Sequence, residues 1–227
     1  MLTLCFKVKY MEERKFDQIT PRAILEYCYD HSKMVNAEAL KRLEVRTREH
    51  GQIKMLSGPY LGKFLSMISS IIRPKYILEI GGFTGYGTAC LAMGLQEEGK
   101  IISIEKNPEL KGFADDIYED LGISHKIDQR IGDARDIIST LDYSFDLVFI
   151  DAAKRQYIDY FEMVLPCIRK GGVILADNTL WKGSLVHPSL DKMGEGLDGF
   201  NKHIKSDTRV DNILMPLDDG VHFIIKK

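Results

Sequence analysis

From Lys75 onward, short runs rich in β-branched residues alternate with helical stretches, and this alternation constrains the fold more than any other feature. The runs cover residues 76–80, 100–104, 126–131, 147–150 and 173–176. Strands separated by helices in this way are typical of a parallel sheet with helices on both faces. The sequence therefore predicts an α/β core over residues 74–227.

The two ends of the chain depart from this alternation. Residues 212–217 and 221–225 flank Asp218-Asp219-Gly220, a hairpin signal that predicts an antiparallel pair at the end of the sheet. Residues 1–73 are predicted to be helical. Three helices are expected there. The first starts at Thr20-Pro21, the second runs from the cap Asn36 to Gly51, and the third ends at Arg73-Pro74.

Two connections in the core also carry predictions. One helix is expected to begin at Asn107-Pro108 and to end at Gly122. Residues 181–200 are rich in Gly, Pro and Ser, which predicts a long functional loop over the site.

The overall composition limits the class of protein. A length of 227 residues suits one domain over 1–227, and 31 Lys and Arg against 33 Asp and Glu give a net charge of −2. This balance argues against a basic nucleic-acid surface. The four cysteines show no metal-ligand spacing, no signal peptide is recognisable, and glycines interrupt the longest uncharged stretch. We therefore predict a soluble cytoplasmic protein with no membrane segment.

A glycine-rich turn follows the first predicted strand, in Leu78-Glu-Ile-Gly-Gly-Phe-Thr-Gly-Tyr-Gly87. Such a turn lets a ligand approach the backbone, although it also serves as a plain strand-to-helix connection. Its glycine spacing differs from the G-x-G-x-x-G of dinucleotide sites and favours a ligand without a pyrophosphate. Glu105, 24 residues after Gly81, could bind the hydroxyls of an adenosine ribose in either kind of site.

Polar residues follow two further buried strands. Asp151 ends one apolar run, and Asp177-Asn178 follows the next. If the strands are neighbours, these side chains meet at the carboxyl edge of the sheet, where α/β proteins bind ligands. Two carboxylates and an amide oxygen suit Mg²⁺, while the alternative is a helix cap and a solvated acid.

Two more residues near these strand ends are candidates. Lys154 lies three residues after Asp151, and Mg²⁺ and a sulfonium nearby would disfavour its charged form, as a general base requires. Trp181, the sole tryptophan, could pack beside a planar substrate or anchor its loop. The six histidines lack zinc spacing, and no G-x-S-x-G motif is present, so zinc and serine hydrolysis are unsupported.

Together these segments resemble a known family, the cation-dependent O-methyltransferases of class I, which use S-adenosylmethionine and include the caffeoyl-CoA and catechol enzymes. The resemblance runs from about residue 20 to the end. It rests on the glycine turn and on Phe149-Ile-Asp-Ala-Ala-Lys154, Leu165-Pro-Cys-Ile-Arg-Lys-Gly-Gly172, Ala176-Asp-Asn-Thr-Leu-Trp-Lys-Gly183 and Pro216-Leu-Asp-Asp-Gly220. It implies a Rossmann-like, doubly wound, seven-stranded mixed sheet with its last strand antiparallel, in a homodimer.

The resemblance also implies roles for individual residues. The cofactor-binding positions are Met55 near the sulfonium, Glu79, Gly81, Gly85 and Tyr86 at the methionine end, Glu105 at the ribose, Asp133 and Ala134 at the adenine, and Asp151. The metal positions are Asp151, Asp177 and Asn178; Lys154 with Asp151 is catalytic, and Trp181 would contact the substrate. The loop after Trp181 matches no substrate-specific pattern.

These observations predict Mg²⁺-dependent transfer of a methyl group from S-adenosylmethionine to a hydroxyl of a small vicinal-diol phenolic acceptor. One alternative is methylation of 5-hydroxyuridine in tRNA, with Arg42, Arg46, Arg48 and Lys54 as a local basic patch. A second alternative is an NAD-dependent dehydrogenase, and a third is a cofactor-binding module without catalysis.

Overall fold

The structure, a computed structural model, describes residues 19–35, 38–51 and 53–227. Seven strands occupy β1 Tyr76–Ile80, β2 Lys100–Glu105, β3 Ile127–Ile131, β4 Phe145–Ile150, β5 Ile168–Ala176, β6 Val210–Met215 and β7 Val221–Lys226. The α-helices are α1 Arg22–Asp30, α2 Glu38–Glu49, α3 Gly58–Ile72, α4 Tyr86–Ala92, α5 Asp115–Asp120, α6 Ala134–Ile138, α7 Tyr157–Val164 and α8 Lys192–Ser206. No helix in these ranges is long and apolar enough to cross a membrane.

The seven strands form one sheet in the order β3-β2-β1-β4-β5-β7-β6. The first five are parallel, and β7 is antiparallel to both β5 and β6. The order reverses between β1 and β4, a topological switch point where the carboxyl ends of parallel strands leave a crevice. The prediction of a Rossmann-like mixed sheet with an antiparallel last strand is confirmed.

Both faces of the sheet are buried. Successive residues of a strand point to opposite faces, and a separate hydrophobic core packs on each face. Ile77 belongs to a core with Leu43 and Leu61 from the N-terminal helices. Its neighbour Leu78 belongs to a second core with Phe161, and both β1 residues are fully buried. The near-continuous apolar character of the strands follows from this double burial.

Two predicted connections differ from the structure. The helix predicted from Asn107 to Gly122 is broken: Asn107 caps a short 3₁₀ turn, Gly112 is left-handed, and α5 begins only at Asp115. The predicted loop 181–200 instead contains the first nine of the 15 residues of α8. An Asp at the N-cap and the buried face of Leu197, Phe200 and Ile204 stabilise this helix despite its three glycines.

The helix boundaries near the N-terminus also refine the predictions. Pro21 itself occupies the N-cap of α1, one residue later than expected. Gly51 has φ +83° just after α2, and Arg73 caps α3 in a left-handed conformation, so both predicted stops are correct. The predicted cap Asn36 lies outside the described residues.

Buried His222 makes stability depend on pH. Its side chain is 2% exposed, its Nδ1 lies 3.0 Å from Asn201 Oδ1, and burial lowers its pKa from 6.5 to about 4. Between those values this histidine binds a proton in the unfolded chain but not in the folded chain, so the contribution of His222 to stability falls as pH falls. The loss is at most about 3 kcal/mol. We expect His222→Gln to remove it, measured as the difference in urea unfolding free energy between pH 4.5 and pH 7. Equal differences in both proteins would contradict the assignment.

Candidate active site

The carboxyl ends of β1, β2, β4 and β5 open into a cavity of about 630 Å³. Most of the predicted site residues line it: Met55, Gly81, Glu105, Asp133, Ala134, Asp151, Lys154, Asp177, Asn178 and Trp181. Residues separated by more than 120 positions in the chain therefore meet at the predicted edge of the sheet. Glu79, Gly85 and Tyr86 do not line the cavity.

Gly81 brings the ends of β1 and β4 together. It has φ +98°, and a Cβ built on it would lie 2.1 Å from the backbone oxygen of Asp151. The Gly81 N–H donates to Ile104 O at 2.8 Å, while Asp151 N–H donates to Ile80 O at 2.8 Å. Only a glycine fits between these strands, and its bare backbone forms part of the cavity wall.

Glu79 lies beneath the glycine turn and is fully buried. Its Oε2 accepts hydrogen bonds from Ser103 Oγ at 2.6 Å and from Thr88 Oγ1, whereas Oε1 has no partner within the described part of the chain. Burial raises the pKa of Glu79 to about 7. Tyr86 is also buried, and Gly85, with φ +90°, caps α4. The cofactor roles of these three residues stay predictions.

Glu105 and Asp133 stand on the β2 and β3 side of the cavity. The carboxylate of Glu105 accepts the backbone N–H groups of Phe83 at 2.8 Å and of Asn107 at 2.7 Å. Asp133 caps α6 and is paired with the Arg135 guanidinium, which lowers the pKa of that carboxyl. Both acids are therefore fixed in place, with Glu105 at the end of β2 as the sequence predicts.

Asp151 and Asp177 follow neighbouring strands and form an acidic pair. Asp177 is 2% exposed, and its Oδ1 accepts the Asn178 N–H at 2.7 Å. Burial, with further contributions from Asp151 and Asp218, raises the pKa of Asp177 well above its usual value. Asn178 has φ +57°, a conformation that asparagine tolerates better than most residues. This hard-oxygen set with unbalanced buried negative charge fits a divalent cation.

Lys154 is the cationic partner in this group. Its Nζ lies 2.6 Å from Asp151 Oδ1 and donates to the Tyr157 hydroxyl at 2.9 Å. Burial disfavours its charge, but Asp151 and then Asp177 outweigh burial, so the pKa of Lys154 is raised. That direction is opposite to the one expected of a general base, because the expectation assumed a cation and a sulfonium nearby. Among the protein groups alone, Lys154 is an ammonium.

Two residues of the site were not predicted from the sequence. The Tyr157 hydroxyl donates to Asp177 O at 3.1 Å, linking the ends of β4 and β5, and its spacing three residues after Lys154 was the available signal. Asp219 lines the cavity at 2% exposure, and its carboxylate accepts the Lys182 N–H. The sequence marked Asp219 only as part of a turn.

Trp181 anchors its segment and also lines the cavity. Its Nε1–H donates to the Asp191 carboxylate, at 3.0 Å and 3.2 Å from the two oxygens. Trp181, Lys182 and Gly183 are consecutive left-handed residues, with φ of 46°, 58° and 73°. The hydrogen bond to Asp191 fits the role of loop anchor, and the role of packing beside a planar substrate stays a prediction.

Two other charged clusters form salt bridges of their own. Glu162, His203 and Asp207 are close enough for a metal, but the Arg209 Nη2 lies 2.6 Å from Glu162 Oε1 and 2.5 Å from Asp207 Oδ2. That cluster is an ion-pair network on the surface, away from the cavity.

The basic patch considered for tRNA binding is also partly paired. Arg46 forms a salt bridge of 2.7 Å with Asp116, and Arg42 pairs with Asp120. These acids lie on α5 and reduce the positive charge that α2 offers to a polyanion. The tRNA alternative stays a prediction without a structural observation in its favour.

Comparisons with known proteins agree on one family. The family model described as O-methyltransferase matches residues 29–227. A caffeoyl-CoA O-methyltransferase of Petroselinum crispum is 34% identical over 197 residues, covering 81% of this chain and 82% of that protein. The O-methyltransferase TomG of Streptomyces achromogenes, solved in complex with SAM, has a TM-score of 0.81 at 27% identity and covers 89% of this chain and 96% of its own. An O-methyltransferase of Bacillus cereus, solved with SAH, has a TM-score of 0.82 at 27% identity, covering 90% and 97%.

Proposed function

The chain belongs to the O-methyltransferase family of S-adenosylmethionine-dependent enzymes, and from that premise we propose its acceptor and its metal. The acceptor is a small phenolic molecule with two neighbouring hydroxyls, of the catechol or caffeoyl type, and the metal is Mg²⁺ or another divalent cation. The family assignment favours methyl transfer over the dehydrogenase alternative. The predicted homodimer and cytoplasmic location belong to the same proposal.

The observation that carries the proposal is the grouping of Asp151, Asp177, Asn178 and Lys154 in the one cavity that Gly81 and Glu105 also line. A divalent cation held by Asp151, Asp177 and Asn178 would lower the pKa of a bound hydroxyl and offset the negative charge that keeps Lys154 protonated. Two neighbouring hydroxyls on the acceptor suit this arrangement, because an oxygen-lined site with three protein ligands has room for two more oxygens.

The cofactor side is supported by the residues that follow β1, β2 and β3. Gly81 leaves backbone exposed at the cavity wall, Glu105 presents a fixed carboxylate, and Ala134 starts α6 behind Asp133. Glu105 uses one lone pair of each oxygen for backbone N–H groups, so both oxygens can still accept ribose hydroxyl protons. Bound in this half, S-adenosylmethionine would direct its methyl group toward Lys154 and the two aspartates.

Lys154 then has a proton-transfer role. As a neutral amine 2.6 Å from Asp151 it can take the hydroxyl proton, and the ammonium it becomes is stabilised by Asp151 and by the Tyr157 hydroxyl. S-adenosylmethionine, when bound, would supply the methyl group to the acceptor oxygen, and the electrons of its carbon–sulfur bond would leave with neutral S-adenosylhomocysteine. Most of the acceleration would come from holding oxygen, carbon and sulfur in line.

The test is a methyl-transfer assay with S-adenosylmethionine and three acceptors: catechol, phenol and hypomodified tRNA. We expect transfer to catechol with Mg²⁺, none after EDTA, and recovery on adding Mg²⁺ in excess. Phenol, with a single hydroxyl, should react far more slowly, since it offers one oxygen only. Transfer to tRNA but not to catechol would overturn the acceptor class, and transfer that EDTA leaves unchanged would overturn the metal.

A further inference from the structure

We propose that the start of α8 positions the Trp181 ring, so that Asp191 and Gly194 help to decide which acceptors fit the cavity. The inference rests on the proposed function, because it takes Trp181 as the wall of the acceptor side. Neither Asp191 nor Gly194 lines the cavity. Both are positioning residues that act through the indole.

Asp191 links the indole to the helix. One carboxylate accepts the Trp181 Nε1–H at 3.0 Å and also the N–H groups of Met193 at 3.0 Å and Gly194 at 2.7 Å. These donors lower the pKa of Asp191, so the carboxylate is ionised and its hydrogen bond to the indole is charge-assisted. The ring cannot rotate away without losing this bond to the cap of a 15-residue helix.

Gly194 fixes the position of the ring edge. A Cβ on this helical glycine would lie 3.3 Å from Trp181 Cδ1, closer than an ordinary carbon contact. The helix backbone therefore packs directly against the indole. A side chain at position 194 would crowd this ring edge, and the indole would have to shift by a few tenths of an ångström.

The backbone of Trp181 is fixed independently, from the other side. Its N–H donates to Asn178 O at 3.0 Å, and the following Lys182 N–H is held by the Asp219 carboxylate. With the backbone held, the direction of the ring is the remaining freedom, and Asp191 and Gly194 restrict it. Because Asn178 is a proposed metal ligand, this backbone bond ties Trp181 to the proposed metal site, and both residues line the same cavity.

The sole tryptophan makes this proposal testable without turnover, since the fluorescence of the protein reports on Trp181 alone. We compare Asp191→Ser with the wild type, because serine is a good N-cap but is too short to reach the indole. Its thermal midpoint should stay within about 2 °C of the wild type. Its emission should move to longer wavelength, and acrylamide should quench it more.

The kinetic readout separates positioning from general damage. For Asp191→Ser we expect KM for catechol to rise about tenfold, the size expected for one charge-assisted hydrogen bond, with kcat changing less than twofold. Trp181→Phe keeps an aromatic ring but removes the donor. In the Trp181→Phe background, Asp191→Ser should cause no further rise in KM for catechol, since the hydrogen bond that it breaks is already absent.

A glycine pair within α8 supplies the matched control. Gly194→Ala should shift the emission and raise KM. Gly199→Ala makes the same change, but its Cβ would meet only Ile158 Cδ1, at 4.0 Å, so emission and KM should stay at wild-type values. The proposal is overturned by wild-type emission and KM in Asp191→Ser, by a full Asp191→Ser effect in the Trp181→Phe background, or by equal effects of the two glycine variants.

The emission spectra also separate this proposal from the proposed function. If wild-type protein transfers no methyl group to catechol, the acceptor class is wrong, and the spectra still decide whether Asp191 and Gly194 hold the ring. If catechol is methylated and the spectra of the variants do not move, the positioning of Trp181 is wrong while the function stands.

Discussion

We expect Asp151→Ala to abolish the proposed divalent-dependent methyl transfer, with a loss of catechol turnover on the order of a thousandfold or more, because a metal centre would supply several kcal/mol of transition-state stabilisation. The same change removes the charge partner of Lys154, 2.6 Å away. Both parts of the proposed chemistry therefore depend on this one carboxylate. The measurement is the rate of methyl transfer to catechol at saturating S-adenosylmethionine, with and without Mg²⁺.

Two further variants keep this result interpretable. Asp151→Asn preserves the size of the side chain and a hydrogen-bond acceptor for Lys154, so it tests the charge with the least change in packing. Asp142→Ala removes an exposed carboxylate before β4, at the opposite edge of the sheet, and should leave turnover unchanged. Near-wild-type, EDTA-insensitive turnover in Asp151→Asn would show that Asp151 is not a metal ligand.

Gly81→Ala has the second large expected effect, on folding as well as on cofactor binding. The new Cβ would lie 2.1 Å from the Asp151 backbone oxygen, and both contacting groups are backbone at the ends of central strands. Together with the left-handed φ of +98°, this crowding should lower the free energy of unfolding by about 3–5 kcal/mol. Urea unfolding measures this loss, and calorimetry with S-adenosylhomocysteine measures the lost affinity.

Gly122→Ala is the matched control for backbone strain. Gly122 is also left-handed, with φ +68°, but nothing lies within 4 Å of a Cβ built there. In Gly122→Ala the free energy of unfolding should fall by only about 1 kcal/mol, the strain of a left-handed alanine. This variant should bind S-adenosylhomocysteine as the wild type does. If the two alanine variants lost the same stability, the close approach of β1 to β4 at Gly81 would not be a constraint.

The sheet and the meeting of Asp151 with Asp177 at its carboxyl edge were predictable because both follow from local rules. Apolar runs such as Tyr76–Ile80 are buried on two faces, and residues that end parallel strands share one edge, which placed Asp151 beside Asp177. The register of Ile150 with Ala176 fulfils that expectation directly.

The features missed by the sequence analysis depend on long-range contacts or on competing local signals. Helix α8 was hidden by its glycines, whose low helix propensity is offset by tertiary packing of Leu197 and Phe200. The hydroxyl of Tyr157 bonds to a carbonyl 20 residues away, and Asp219 bonds to an N–H 37 residues away. No local pattern indicates such partners. The lowered pKa expected for Lys154 assumed a cation and a sulfonium nearby and stays a prediction, whereas the protein groups alone raise that pKa.

The position of β7 has a consequence for the order in which the protein assembles. β7 is made after β5 and β6, yet it inserts between them, and the turn before it supplies Gly220 O to the Thr179 N–H and the Asp219 carboxylate to Lys182. On a ribosome, the cavity residues that follow β1, β2 and β3 are therefore made before the contacts that hold the segment carrying Trp181. A nascent chain that ends before Asp219 would lack both this turn and β7, and with them the contacts that hold Thr179 and Lys182 on either side of Trp181.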